Sequence, residues 1–140
     1  MALLDELQQS WNKDCLFDEL NLGEESLVVP RLHQKYHIYY NKYKLILEDE
    51  RQKLKRIRRE RWLFYNGKGK DSEGNYFDLK VLKGDLNVFL ESDEEIQKQI
   101  LKITYFETCI NYIENILKMI NKRGFQVKNA IDAKRFEFPV

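Results

Sequence analysis

Structure breakers and thiols are scarce in this chain of 140 residues, which holds two prolines, six glycines and two cysteines. With so little proline and glycine, long stretches have nothing to stop a helix, and none of either lies between Pro30 and Gly67. Cys15 and Cys109 are far apart in sequence and match no metal-ligand spacing, so they read as reduced thiols and exclude a disulfide framework. No apolar run approaches the ~20 residues of a membrane span. The start, Met-Ala-Leu-Leu-Asp-Glu-Leu, lacks the basic region and apolar stretch of a signal peptide. Internal repeats and low-complexity segments are also missing. The expectation is a soluble intracellular protein, residues 1–140 forming a single helical domain.

Charge, by contrast, is abundant and unevenly spread. The 24 basic and 23 acidic residues leave a net charge of +1. Residues 1–30 nevertheless carry a net charge of minus six, residues 31–70 plus nine, and residues 71–140 minus two. Such segregation points to a polyanion-binding middle, with an acidic end that could pair with a neighbouring copy or a basic partner.

Apolar spacing predicts a mainly α fold. Leu3, Leu4, Leu7 and Trp11 recur at helical steps, giving a short first helix over about 3–12. A long helix is expected over about 28–65, because Pro30 fits a helix's first turn. Within it Tyr36, Tyr40, Tyr43, Leu47, Glu50, Leu54, Ile57, Arg61 and Phe64 alternate steps of four and three, the coiled-coil period. That seam could join subunits through Tyr40, Tyr43, Leu47 and Leu54, or could pack inside the chain against the later long helix. Residues 66–76 read as a flexible, basic, glycine-rich loop, and residues 77–90 as short helical pieces around Gly84. Ser92-Asp-Glu-Glu95 reads as a capping box ahead of Ile96, Ile100, Ile103, Phe106, Ile110, Ile113, Leu117 and Ile120, so a second long helix is expected over about 93–123. Gly124 is then the natural left-handed cap, with Phe125 folding back on Ile120 and a last short helix over about 126–137, before Pro139.

No enzyme signature, cofactor motif or metal site emerges. His33 and His37 lie one helical turn apart, yet no third ligand is evident and they read as two surface or interface histidines. Gly67-Lys68-Gly69-Lys70 lacks the spacing of a phosphate-binding loop and follows a basic helix where a strand is required.

Residues 51–70 are the strongest feature, with nine cations, one acid and three aromatics. Like charges one turn apart repel, as in Arg51 with Lys55 and Lys55 with Arg59. A nucleic-acid strand removes that repulsion, and Trp62, Phe64 and Tyr65 offer faces on which unpaired bases stack. Lys53, Lys55, Arg58 and Arg59 lie off the seam and can reach solvent, Arg56 belongs to the same cluster, and Lys68 and Lys70 extend it into the loop. Arg61 falls on the seam. A solvated basic helix whose aromatics turn into a core is the bland alternative.

The block Arg59-Glu-Arg61-Trp-Leu-Phe-Tyr65-Asn-Gly67-Lys68-Gly69, with Lys122-Arg123-Gly124-Phe125-Gln-Val127-Lys128 and the later Asp132, Phe136 and Glu137, resembles the UvsY family of recombination mediators from T4-like phages. The likeness spans most of the chain. It implies a non-catalytic protein in the cytoplasm of the infected bacterial host, assembling as a closed ring of about six or seven copies. It further implies binding of single-stranded DNA, of the phage single-strand-binding protein and of a RecA-like recombinase, UvsX, whose loading it assists. The resemblance assigns DNA contacts to Arg59 and Arg61, and subunit contacts to Phe125, Val127, Ile131 and Phe136. Trp62-Leu63 is more apolar than the family's usual step, which leaves Trp62 either on bases or between subunits. A coiled-coil adaptor docking acidic proteins and a duplex-DNA regulator are the competing readings.

Overall fold

The computed structural model describes residues 2–137, and among these there are four helices: α1 (Ala2–Asp14), α2 (Leu22–Tyr65), α3 (Leu86–Glu91) and α4 (Glu94–Glu137). The described residues divide into two compact units, the first made of residues up to Lys44 together with those from Thr108 onward, the second of Leu45–Glu107.

In the first unit α1 presents Leu7 and Trp11 to the start of α2, where the Trp11 ring meets Tyr36 edge-on at 5.6 Å. The hydroxyl of Tyr36, fully buried, donates to Asp14 Oδ2 at 2.7 Å, and Lys35 pairs with the same oxygen at 2.6 Å. Cys109, Ile113, Ile116 and Ile120 of α4 fill the centre at 0% exposure, so Cys109 is inaccessible while Cys15 is exposed. Burying each such aliphatic side chain stabilises the unit by roughly 1.5–3 kcal/mol. Tyr40 donates to Glu114 at 3.3 Å, and a Cβ on Gly124 would stand 3.9 Å from Val29, so here α2 and α4 run antiparallel.

α2 ends and α4 begins as expected, but the start of α2 and the end of α4 differ from expectation. α2 starts at Leu22, six residues before the expected start, with Pro30 inside it. The proline leaves the Ser26 carbonyl without its helical partner, but Pro30 and Ser26 are both exposed and water can take that place. Leu22 is buried and Glu25 is bound to Arg123, so tertiary contacts hold the extra turns. α4 runs through Gly124 without a break, and no left-handed cap forms there. Val127 beyond it is 2% exposed, and its burial outweighs the ~1 kcal/mol preference of glycine for leaving a helix. Phe125 is 70% exposed and does not fold back on Ile120. Pro139 lies outside the described residues.

In the second unit the α2 seam residues Leu47, Glu50 and Phe64 are buried, which places that part of the seam inside the chain. Glu50 at its centre is matched by buried Gln99, whose amide donates to Glu50 Oε2 at 2.6 Å and to the Glu50 carbonyl at 2.9 Å. Burial pushes the Glu50 carboxyl up, but Gln99 and Lys53 hydrogen bonds and the Lys102 charge outweigh it, and the net shift is downward. The N-cap of α4 is Asp93 rather than Ser92: Asp93 Oδ1 accepts from the Ile96 amide at 3.0 Å, while the Ser92 hydroxyl donates back to the Val88 carbonyl at 2.8 Å. Of the short pieces expected over 77–90, a helix forms at α3. The 66–76 segment carries a hydrogen-bonded turn, in which Asp71 Oδ1 accepts from the amides of Glu73 and Asn75 at 3.0 and 2.9 Å.

Candidate nucleic-acid interface

Helical geometry decides which residues of the basic block can meet a ligand. Lys55, Arg58, Arg59 and Trp62 recur at three- and four-residue steps and share one face of α2, with Arg56 at its edge. All five are exposed, and none of the four cations has an ion-pair partner among the described residues. Lys53 is different, lying 3.4 Å from Asp49 and 3.3 Å from Glu50.

The end of α2 shapes the rest. Gly67 adopts φ 71°, the Lys68 amide donates to the Leu63 carbonyl at 2.9 Å, and the Gly67 amide donates to the Phe64 carbonyl at 3.0 Å. That pair of bonds is a Schellman cap, and it turns the chain back along the helix. Lys68 Nζ thereby stands 5.6 Å from the Trp62 ring centre, within cation–π range. Lys70 lies 5.4 Å from the Tyr76 ring, opposite which it forms an isolated bridge. Gly67→Val is expected to destabilise the protein by about 1–2 kcal/mol, since a branched residue resists the left-handed conformation. Thermal unfolding monitored by circular dichroism checks this.

Phe64, Tyr65 and Arg61 lie with the packed seam rather than on the exposed face their assignment to DNA contacts calls for. Phe64 is 8% exposed, and with Tyr65, Phe77 and Phe89 it forms a ring cluster with centres 5.0–5.7 Å apart. The Tyr65 hydroxyl donates to Asp93 Oδ2 at 2.6 Å, and Arg61 Nε donates to the same oxygen at 2.7 Å. Arg61 also lies 4.4 Å from the Phe64 ring centre. Burial raises the Asp93 carboxyl, but the Tyr65 hydroxyl, the Ile96 amide and the Arg61 guanidinium outweigh it and hold it below the usual range. Arg61 is therefore committed to Asp93, 32 residues away in sequence. Of the three aromatics in the block Trp62 is the exposed one, at 39%, and its place seven residues after Lys55 puts it on the face of the cations.

Among the expected subunit contacts, Tyr43, Leu47 and Val127 are buried in the chain's own core and offer nothing to a second copy. Tyr40, Leu54 and Ile131 are half-buried, whereas Phe125 and Phe136 are 70% and 89% exposed.

Residues 10–138 match the family described as "Recombination, repair and ssDNA binding protein UvsY". The chain belongs to the UvsY family. The recombination protein UvsY of Enterobacteria phage T4 is 25% identical to it over 138 residues, 96% of each chain. A crystal structure of the bacteriophage T4 recombination mediator protein UvsY, lattice type IV, has the same fold, with a TM-score of 0.87 at 21% identity over 95% of this chain and 98% of that one. The lattice type I structure agrees, with a TM-score of 0.86 at 22% identity over 94% and 98%. A role in recombination and repair follows from UvsY family membership. Among the described residues no helix is long and apolar enough to cross a membrane.

Proposed function

We propose that this chain is a non-catalytic recombination mediator that grips single-stranded DNA on the exposed face of α2. The observation that carries this reading is the set of four unpaired, exposed cations, Lys55, Arg56, Arg58 and Arg59, sharing that face with exposed Trp62. Phosphates would answer the cations and release counterions, Trp62 would take a base, and Lys68 and Lys70 would extend the track. A homo-oligomeric ring, with Phe125, Ile131 and Phe136 near its subunit contacts, would repeat that face, so that modest sites gain by acting together on one strand. Such a ring would bend or wrap the strand, weaken the hold of a single-strand-binding protein, and leave the strand open for a RecA-like recombinase of the UvsX kind. The setting would be the cytoplasm of an infected bacterial host.

Titration of fluorescent oligo-dT against the protein at rising salt tests the reading. With about three phosphates neutralised per engaged subunit, log affinity should fall against log salt with a slope of roughly −2 per subunit. Weak binding at every salt concentration would favour a coiled-coil adaptor instead. A preference for duplex of one sequence would favour a duplex-DNA regulator.

A further inference from the structure

Within the first unit α2 carries a second exposed feature that the basic face does not use. His33, His37 and Tyr40 form a ladder: His33 and His37 stack with centres 5.8 Å apart and planes 21° apart, and His37 and Tyr40 with centres 6.3 Å apart and planes 11° apart. Lys44 continues it, its Nζ lying 5.4 Å from the Tyr40 ring centre. The four positions step by four, three and four residues, so they occupy one row beside the buried stripe of Leu32, Tyr36 and Tyr43. His37 and Lys44 are exposed, and His33 and Tyr40 half-buried. The Tyr40 hydroxyl donates to Glu114, which fixes that ring against α4. Lys118 and Lys122 follow Glu114 at four-residue steps, and both are exposed. The antiparallel register set by Tyr40 with Glu114 and by Val29 with Gly124 brings Lys118 level with Tyr36 and His37, whereas Lys122 lines the cleft with Trp11, Cys15 and Phe17.

We propose that this ladder is a second contact for unpaired polynucleotide, where bases stack on the imidazole and phenol faces while Lys44 and Lys118 take the phosphates. Near-parallel rings fixed on a helix lose little freedom when a base joins them, and stacking accepts any base. A core role does not account for the row, since its rings lie beside the buried stripe. Among the described residues no group of three or more His, Cys, Asp or Glu side chains stands around the two imidazoles. Among the described residues Glu114 is the one acid bonded to the row, and Lys44 and Lys118 outnumber it. The proposal rests on the single-strand reading above and adds a base-dependent contribution to its charge-dependent one.

The test compares oligo-dT with an abasic strand of equal length in fluorescence anisotropy. The His33→Ala, His37→Ala double variant should lose about tenfold in affinity for oligo-dT. Its salt slope should match wild type, and on the abasic strand it should show no loss. The His33→Phe, His37→Phe variant keeps flat rings and should bind oligo-dT like wild type. Equal losses on the two strands, or no loss in the alanine variant, would overturn the ladder while wild-type binding leaves the reading of the basic face in place. A wild-type protein that ignores oligo-dT would remove both.

Discussion

Replacing Lys55, Arg58 and Arg59 together by alanine is expected to weaken binding of oligo-dT about a hundredfold in ~50 mM salt and to flatten the log affinity against log salt slope by about two per engaged subunit. Each removed cation leaves one phosphate with its counterion, and each contributes ~0.7 to the slope for a single strand. Among the described residues none of the three has an ion-pair partner, so their loss orphans no acid there and the fold should stay intact. Alanine also has the highest helix propensity, which keeps α2 in place. Anisotropy titrations at several salt concentrations, with circular dichroism as the control, read both quantities. An unchanged slope with native helicity would move the binding face elsewhere. Arg61→Ala, by contrast, is expected to leave the slope alone and to lower stability.

Asp93→Ala is expected to destabilise the protein by about 3–5 kcal/mol, the largest change foreseen for one substitution. It removes the acceptor shared by Arg61 and Tyr65 and the cap on the Ile96 amide, and leaves a guanidinium that is only 16% exposed without its partner. Asp93→Asn keeps the cap and should recover about 1 kcal/mol of that loss. Urea unfolding at neutral pH checks both values. The pH dependence follows from the lowered carboxyl. A carboxyl held lower in the folded state than in the unfolded chain contributes stability above the unfolded value, about 3.9, and loses it as pH falls through the folded one. The advantage of wild type over Asp93→Asn should therefore be constant near neutral pH and shrink below about pH 4. A difference that persists unchanged into strong acid would show that the ion pair is not its source.

Much of this was legible in the residue order, and what was not has identifiable physical reasons. The alternation of three and four from Tyr36 to Phe64 predicted a helix packed along one side with Phe64 on its seam, and the expectation that Phe64 stacks on bases conflicts with that register and with its burial. Arg61 could not be placed from the sequence because its partner Asp93 comes from a distant segment, and only the fold brings the two within 2.7 Å. The helix ends were misread for a related reason. Pro30 and Gly124 are strong local signals, yet Arg123 donates to the carbonyls of Asp14 and Leu16 and to Glu25, and these long-range bonds tie the flanking turns into the first unit. Among the aromatics of the basic block, composition could name candidates but not say which one faces solvent. The ring cluster around Phe77 and Phe89 takes Phe64 and Tyr65 inward and leaves Trp62 out.

The two tryptophans divide neatly between these environments. Trp11 packs edge-on against Tyr36 and is 9% exposed, while Trp62 stands at the solvent beside Lys68. Intrinsic emission therefore carries two signals of unequal accessibility, one that a water-borne quencher reaches readily and that would change if the cationic face were occupied, and one that it reaches far less and that reports whether the first unit remains assembled.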